Sequence, residues 1–327
     1  MKYLCAVLLS LLLMLTAPWT PTATAGQIDE SFSNWSAYDT IDWLPKTPAT
    51  QRIRYVTNSS LQFGDLRIPN QANPKGHPVV VMIHGGAWTD AWGLDYMAPL
   101  VEALTGAGIA TWNIEFRRIG STGGAYPGTF RDVGMATDYL RVLAPIYNLD
   151  LSRVVISGHS SGGHLALWVG SRGTIPASDP LYVANPLIPK GVVSLAGIPD
   201  LEGAYDAGRT DVYTLLGVTT AAAAAALYPT TSPIAMLPTG VPTSHIVGTS
   251  DNPWRQAITY DFQDAATLAG DPIPRVFNPV GANHFDVVDP CGPAWPRIVT
   301  EILLMLGEKP QPLQTYSTSI FCPVNGR

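Results

Sequence analysis

Val79-Val80-Val81-Met82-Ile83 is apolar without a break and runs directly into His84-Gly85-Gly86. A strand with one face in water alternates apolar and polar residues. One that is apolar throughout belongs at the centre of a parallel sheet covered on both faces. The rest of the chain keeps to that plan. Strands are expected at 109–114, 153–157, 191–195, 243–247 and 275–278. Helices are expected over 94–106, 130–143 (opened by Thr129 as a cap), 161–172, 254–269 and 294–306. Residues 52–56 and 61–68 read as an antiparallel pair joined by Asn58-Ser59-Ser60. Strands and helices alternating at this spacing predict an α/β fold with a mostly parallel central sheet and helices on both faces.

A chain of 327 residues with 46% hydrophobic and 13% charged residues suits one large globular domain. The formal net charge is −6 and no cluster of Lys and Arg occurs, so nothing here is built to hold a nucleic-acid backbone. Residues 1–25 have the form of a signal peptide: Lys2, an apolar run from Leu4 to Leu15, and Ala23-Thr24-Ala25 before Gly26. That run is too short to span a bilayer as a helix. Export with cleavage after Ala25 is therefore expected, to the periplasm or the medium, with no stable membrane anchor afterwards. Cys5 leaves with the leader. Cys291 and Cys322 remain, and in an oxidising compartment they are expected to close a disulfide.

Residues 26–50 are polar and proline-punctuated, an N-terminal arm with Trp35 and Trp43 as anchors, and 51–327 form the single domain. Within it, 200–242 breaks the alternation, with helices possible at 211–216 and through the alanine run 221–226. This insertion either roofs the functional site or is an ordinary surface excursion.

The strongest local signal is Gly158-His159-Ser160-Ser161-Gly162, placed between a buried strand and a helix. Small residues on either side allow a tight turn that presents the Ser160 hydroxyl at the carboxyl end of the sheet, facing the positive helix N-terminus. A serine nucleophile needs a base. His284, in the loop after the last strand, is the candidate; His159 and His164 are too constrained to reach round and read as packing or pocket residues. His77 and His245 read as structural or exposed. Asp251, which follows the strand ending in Val247 through Gly248-Thr249-Ser250, is favoured as the carboxylate that orients His284, with Asp286 as its rival. Backbone N–H groups of Gly86, Ala87 and Ser161 are candidates for an oxyanion hole.

These residues resemble the esterase and lipase branch of the α/β-hydrolases that carries a His-Gly-Gly-x motif, including kynurenine formamidases and related carboxylesterases. The likeness spans roughly residues 60 to 305. It rests on HGGAW at 84–88, FRRIG at 116–120, YPGTFRDV at 126–133, GHSSGGHLAL at 158–167 and NHFDVV at 283–288. It implies the α/β-hydrolase fold, Ser160, Asp251 and His284 as triad, in that chain order, and Gly86, Ala87 and Ser161 as oxyanion donors. Two positions depart from many relatives: Ala87 stands where a third glycine is common, and Ser161 where alanine often follows the nucleophile.

The expected activity is hydrolysis of a small or medium carboxylic ester through an acyl-enzyme. The alternative is amide hydrolysis, as an arylformamidase or peptidase, since the same triad cleaves both; a non-catalytic binding protein on the same scaffold is a remote one. Trp88, Trp92, Tyr126 and Trp254 flank the motifs and belong either to an apolar pocket or to the core. No cofactor or metal is implied: there is no His-Glu-x-x-His pattern and no glycine-rich dinucleotide or phosphate loop.

Overall fold

The computed structural model describes residues 48–310 and Cys322. The expected leader, Trp35 and Trp43 lie outside the described residues.

Eight strands form one sheet: β1 (Gln51–Arg54), β2 (Phe63–Arg67), β3 (His77–Ile83), β4 (Ala110–Ile114), β5 (Leu149–His159), β6 (Gly191–Leu195), β7 (Thr243–Ile246) and β8 (Arg275–Phe277). Their order is β1-β2-β4-β3-β5-β6-β7-β8. The predicted hairpin is present, with Gln51 opposite Leu66, and β2 lies antiparallel to β4. Every other neighbouring pair is parallel. The loops that leave β3, β5, β7 and β8 therefore emerge at one edge.

The unbroken apolar run of β3 serves both faces. Val79, Val81 and Ile83 join a core cluster with Phe130, Leu143 and Trp168. Val80 and Met82 join the opposite cluster with Leu100, Leu104, Ile298 and Ile302. The helices concerned are α1 (Ala98–Gly106), α2 (Gly128–Asp138), α3 (Leu140–Tyr147), α4 (Ser161–Ser171) and, near the C-terminus, α9 (Trp295–Met305). Alternate residues of one strand thus anchor the two helical layers.

Local differences from the sequence reading have local causes. The single helix expected over 130–143 is two helices meeting at Tyr139, where Val142 N–H bonds back only three residues. Thr129 does not cap it: its hydroxyl lies inside α2 and donates to the Arg117 carbonyl at 2.7 Å. Strand β5 begins four residues earlier than expected, just after Asn148 closes α3 in a left-handed conformation.

The 200–242 segment contains α5 (Leu201–Asp206), α6 (Asp211–Leu216) and α7 (Ala221–Thr231). Sequence periodicity missed α5, although Asp200 caps it by accepting the Glu202 N–H at 3.0 Å. Leu201, Val212, Leu215, Ala224 and Tyr228 belong to the same core cluster as Val81, so the segment is packed into the body through its apolar side chains. Helix α8 (Pro253–Leu268) follows β7. Cys291 and Cys322 are joined as a disulfide with their Cα atoms 5.6 Å apart. Among the described residues no helix is long and apolar enough to cross a membrane.

Candidate active site

Ser160 joins β5 to α4 with φ +55° and ψ −122°, a conformation that costs a non-glycine residue on the order of 1–3 kcal/mol. The flanking glycines make it feasible. A side chain at Gly158 would strike the Gly162 carbonyl, and one at Gly162 would strike the carbonyls of Ile83 and His84. The turn is tied to the next strand by Ser160 N–H donating to the Leu195 carbonyl at 2.9 Å. Ser160 is 7% exposed, at the N-terminal end of α4.

The loop after β3 runs beside it. A Cβ on Gly85 would lie 2.9 Å from that of Ser160. Gly86, Ala87 and Trp88 all have positive φ, +113°, +55° and +57°, so three successive peptides are turned out of the extended path. Gly86 also abuts Trp92, where a Cβ would come within 2.5 Å. Several contacts hold this shape. Gly85 N–H donates to Tyr96 Oη at 2.6 Å, Trp88 N–H to Ser161 Oγ at 3.2 Å, and the Trp88 indole to His164 Nδ1 at 3.1 Å. Burial pushes His164 down to about 4, so its ring is neutral at pH 7 and its Nε2–H donates to the Thr231 carbonyl at 2.9 Å. At the loop's root, His84 Nε2 lies 3.0 Å from Glu115 Oε1, and Glu115 also faces Arg118. Burial raises the Glu115 carboxyl, but His84 and Arg118 outweigh it and hold the group below its ordinary value. Among the described residues no hydrogen bond takes the N–H groups of Gly86, Ala87 or Ser161.

Asp251 and His284 meet across two adjacent loops. Gly248 permits this, since a side chain there would strike the Ala282 backbone, and Ser250 N–H donates to the Ala282 carbonyl at 3.0 Å. His284 Nδ1 lies 2.8 Å from Asp251 Oδ2. Because a carboxylate accepts, Nδ1 carries the proton and a neutral ring keeps its lone pair on Nε2. Burial disfavours ionised Asp251, yet His284, Arg255 and the Asn252 N–H hold it well below the usual carboxylate range. Asp286, the rival, has its Oδ2 2.8 Å from the Asn283 N–H and braces the His284 loop from within. On the other side, His159 Nε2 is 2.9 Å from the His284 carbonyl, and the two rings are 4.6 Å apart, so His284 lies against the Ser160 turn.

The sequence-predicted set is brought together, but several partners had no signal in spacing. Arg255 is fully buried one turn after Asp251, 3.3 Å from its Oδ1, and Tyr96 and Glu115 come from neighbouring elements. Only the i, i+4 spacing of Asp251 and Arg255 was visible in advance. Trp88 is core at 1% exposure. Trp92, Tyr126 and Trp254 are partly buried against the two core clusters. His77 and His245 are buried structural residues. Among the described residues, no group of three or more His, Cys, Asp or Glu side chains could hold a metal ion.

A mostly parallel sheet clad by helices, with serine, carboxylate and imidazole on the loops that leave β5, β7 and β8 at its carboxyl edge, defines the α/β-hydrolase class. The model of the BD-FAE family matches residues 65–264, and the chain belongs to that family. It is similar to Esterase LipQ of Mycobacterium tuberculosis, 25% identical over 170 residues that cover 49% of this chain and 40% of LipQ. The chain thus spans well under two thirds of that relative. Among solved structures, esterase B of Lactobacillus rhamnosis superposes with a TM-score of 0.70 at 18% identity, over 85% of this chain and 93% of that one. A truncated carbohydrate esterase from gut microbiota gives 0.69 at 19% identity, over 80% and 98%. At these identities the structural likenesses establish the fold.

Proposed function

We propose that this protein is a serine hydrolase cleaving carboxylic esters of small or medium size through an acyl-enzyme. The observation that carries the reading is the 2.8 Å contact of His284 with Asp251 while His284 lies against the Ser160 turn. His284 Nε2 takes the Ser160 proton as the hydroxyl attacks the carbonyl, and the oxyanion is received by the N–H groups of Gly86, Ala87 and Ser161. The imidazolium, stabilised by Asp251, then protonates the leaving alcohol. Water activated by the same ring releases the acid and restores Ser160.

Relatives named esterases support the ester over the amide. The domain plan (leader 1–25, arm 26–50, one hydrolase domain 51–327) and export of the mature chain belong to the same proposal, on the strength of the leader-like sequence. The test is a panel of aryl esters, formyl-aryl amides and short peptides, with a fluorophosphonate probe alongside. Ester turnover with probe labelling at Ser160 is expected. Turnover of formamides or peptides alone would overturn the substrate class, and an unlabelled Ser160 in folded protein would overturn the hydrolase reading.

A further inference from the structure

His159 is a buried histidine beside the nucleophile that the reaction itself does not use. We infer that Tyr96 and His159 act as positioning residues, a hydrogen-bonded relay that fixes the oxyanion loop and the base His284 relative to one another. This deepens the hydrolase reading and rests on it.

The contacts have one consistent direction. The His284 carbonyl can only accept, so His159 Nε2, 2.9 Å away, is the donor. Burial, reinforced by neighbouring His284, keeps the His159 ring uncharged, leaving Nδ1 as an acceptor. Tyr96 Oη, 2.9 Å from Nδ1, therefore donates to it and uses its own lone pair for the Gly85 N–H at 2.6 Å. The sequence is Gly85 N–H to Tyr96 O–H to His159 to the His284 carbonyl. Its two ends are the residue preceding oxyanion donor Gly86 and the backbone of the base, and His159 is bonded covalently to Ser160.

Aromatic packing keeps the relay in place. The Tyr96 ring packs edge-on against Trp92 and Phe285, with centroids 5.5 and 6.2 Å away. His159 is 1% exposed, so water does not compete for its nitrogens. A chain of this kind in a dry interior is stronger than the same bonds in water and costly when half broken. Breaking it leaves Gly85 N–H without its acceptor and lets the adjoining Gly86 donor drift. That penalty falls on the transition state more than on substrate binding.

Tyr96→Phe, His159→Phe and His159→Gln in the full-length protein test this. Y96F keeps the ring packing and removes only the hydroxyl. It is expected to lower kcat by about tenfold with KM within about twofold, slow fluorophosphonate labelling in parallel, and speed hydrogen exchange at the Gly85 amide. H159F should match it, while H159Q, which retains a donor for the His284 carbonyl, should recover most of the loss. Wild-type kcat and Gly85 exchange in Y96F, or equal damage in H159Q and H159F, would overturn the relay; if Y96F does not fold, the His159 pair decides. Should wild type itself neither turn over esters nor label, the hydrolase reading falls. Gly85 exchange in Y96F would still report whether the relay exists.

Discussion

His284 Nδ1 stands 2.8 Å from Asp251 Oδ2, and this pairing selects one carboxylate from the two that lie near the histidine in sequence or space. Asp286 is only two residues from His284, yet its Oδ2 accepts the Asn283 N–H of its own loop at 2.8 Å. Asp251→Asn is expected to reduce kcat on an aryl ester by about 10⁴-fold, because an amide no longer enforces the tautomer that leaves Nε2 free. Asp286→Asn should cost less than about tenfold, since its carboxylate braces the loop rather than pairing with the ring. Steady-state kinetics of the two variants checks the assignment, and equal losses would contradict it.

The Ser161 hydroxyl accepts the Trp88 N–H at 3.2 Å. Trp88 itself sits at positive φ, so this bond helps to hold a strained peptide beside the proposed oxyanion donors. Ser161→Ala should therefore lower kcat by about three- to tenfold with little change in KM. The melting temperature should move little, because the backbone donor of residue 161 remains. An unchanged kcat would show that the Trp88 indole, held by His164, fixes the loop unaided.

The layered sheet was legible from the sequence because its signal is local: the unbroken run of β3 can be satisfied only between two apolar layers, and the two core clusters divide it residue by residue. The serine turn was legible for the same reason, since Gly158 and Gly162 lie within two residues of Ser160. Arg255 left only its i, i+4 spacing from Asp251, and Tyr96 and Glu115 left nothing. Each acts through a partner placed by the tertiary fold, and a tyrosine or glutamate that will meet a loop from a different strand leaves no periodic mark. The division of the 130–143 helix escaped for the opposite reason: its apolar spacing is helical throughout, and only the hydrogen-bond geometry at Tyr139 reveals the break.

Acid should weaken the fold before carboxylates begin to titrate. His164 and His245 are each pushed from 6.5 down to about 4 by burial. Between those values the unfolded chain binds protons that the folded chain excludes, so their contribution is complete above about pH 6.5 and is lost as pH falls towards 4. Each accounts for about 3 kcal/mol at most over that window. Asp200, raised by burial, acts in the opposite sense at the lower end, and depressed Asp251 loses its contribution only at more acidic pH still. Urea midpoints measured from pH 7.5 to 4.5 should fall steadily, and His245→Leu should flatten part of that fall without touching the site. A midpoint independent of pH over this range would contradict the burial of neutral histidines.

Cys291 follows His284 by seven residues, and its disulfide to Cys322 spans 31 positions. Closing a loop of this length in the unfolded chain contributes on the order of 3–4 kcal/mol. Cys291→Ser, or reduction of the native protein, should lower the denaturation midpoint accordingly while leaving kcat near wild type at 25 °C. Circular dichroism melts with parallel activity assays check both halves of the expectation.

Arg255 presents the sharpest balance of charge in the molecule. It is fully buried, 3.3 Å from Asp251 Oδ1, 3.1 Å from the Ala196 carbonyl that accepts from it, and its guanidinium lies 4.4 Å from the centroid of the Trp254 ring. Two positive groups, Arg255 and the His284 ring when protonated, thus compete for one carboxylate. Removing Arg255 leaves Asp251 buried with a single intermittent counter-charge, and loss of one partner from a buried pair typically costs about 3–5 kcal/mol. Arg255→Met, which keeps the stem's volume, should therefore destabilise the fold by several degrees or more in melting temperature. Its effect on the reaction runs the other way for the imidazolium: with Arg255 gone, His284 is the one of these two positive groups still facing Asp251, and the protonated ring is better stabilised. The pH at which kcat/KM rises should accordingly move upward in R255M, whereas a purely structural arginine would lower the plateau and leave that pH unchanged.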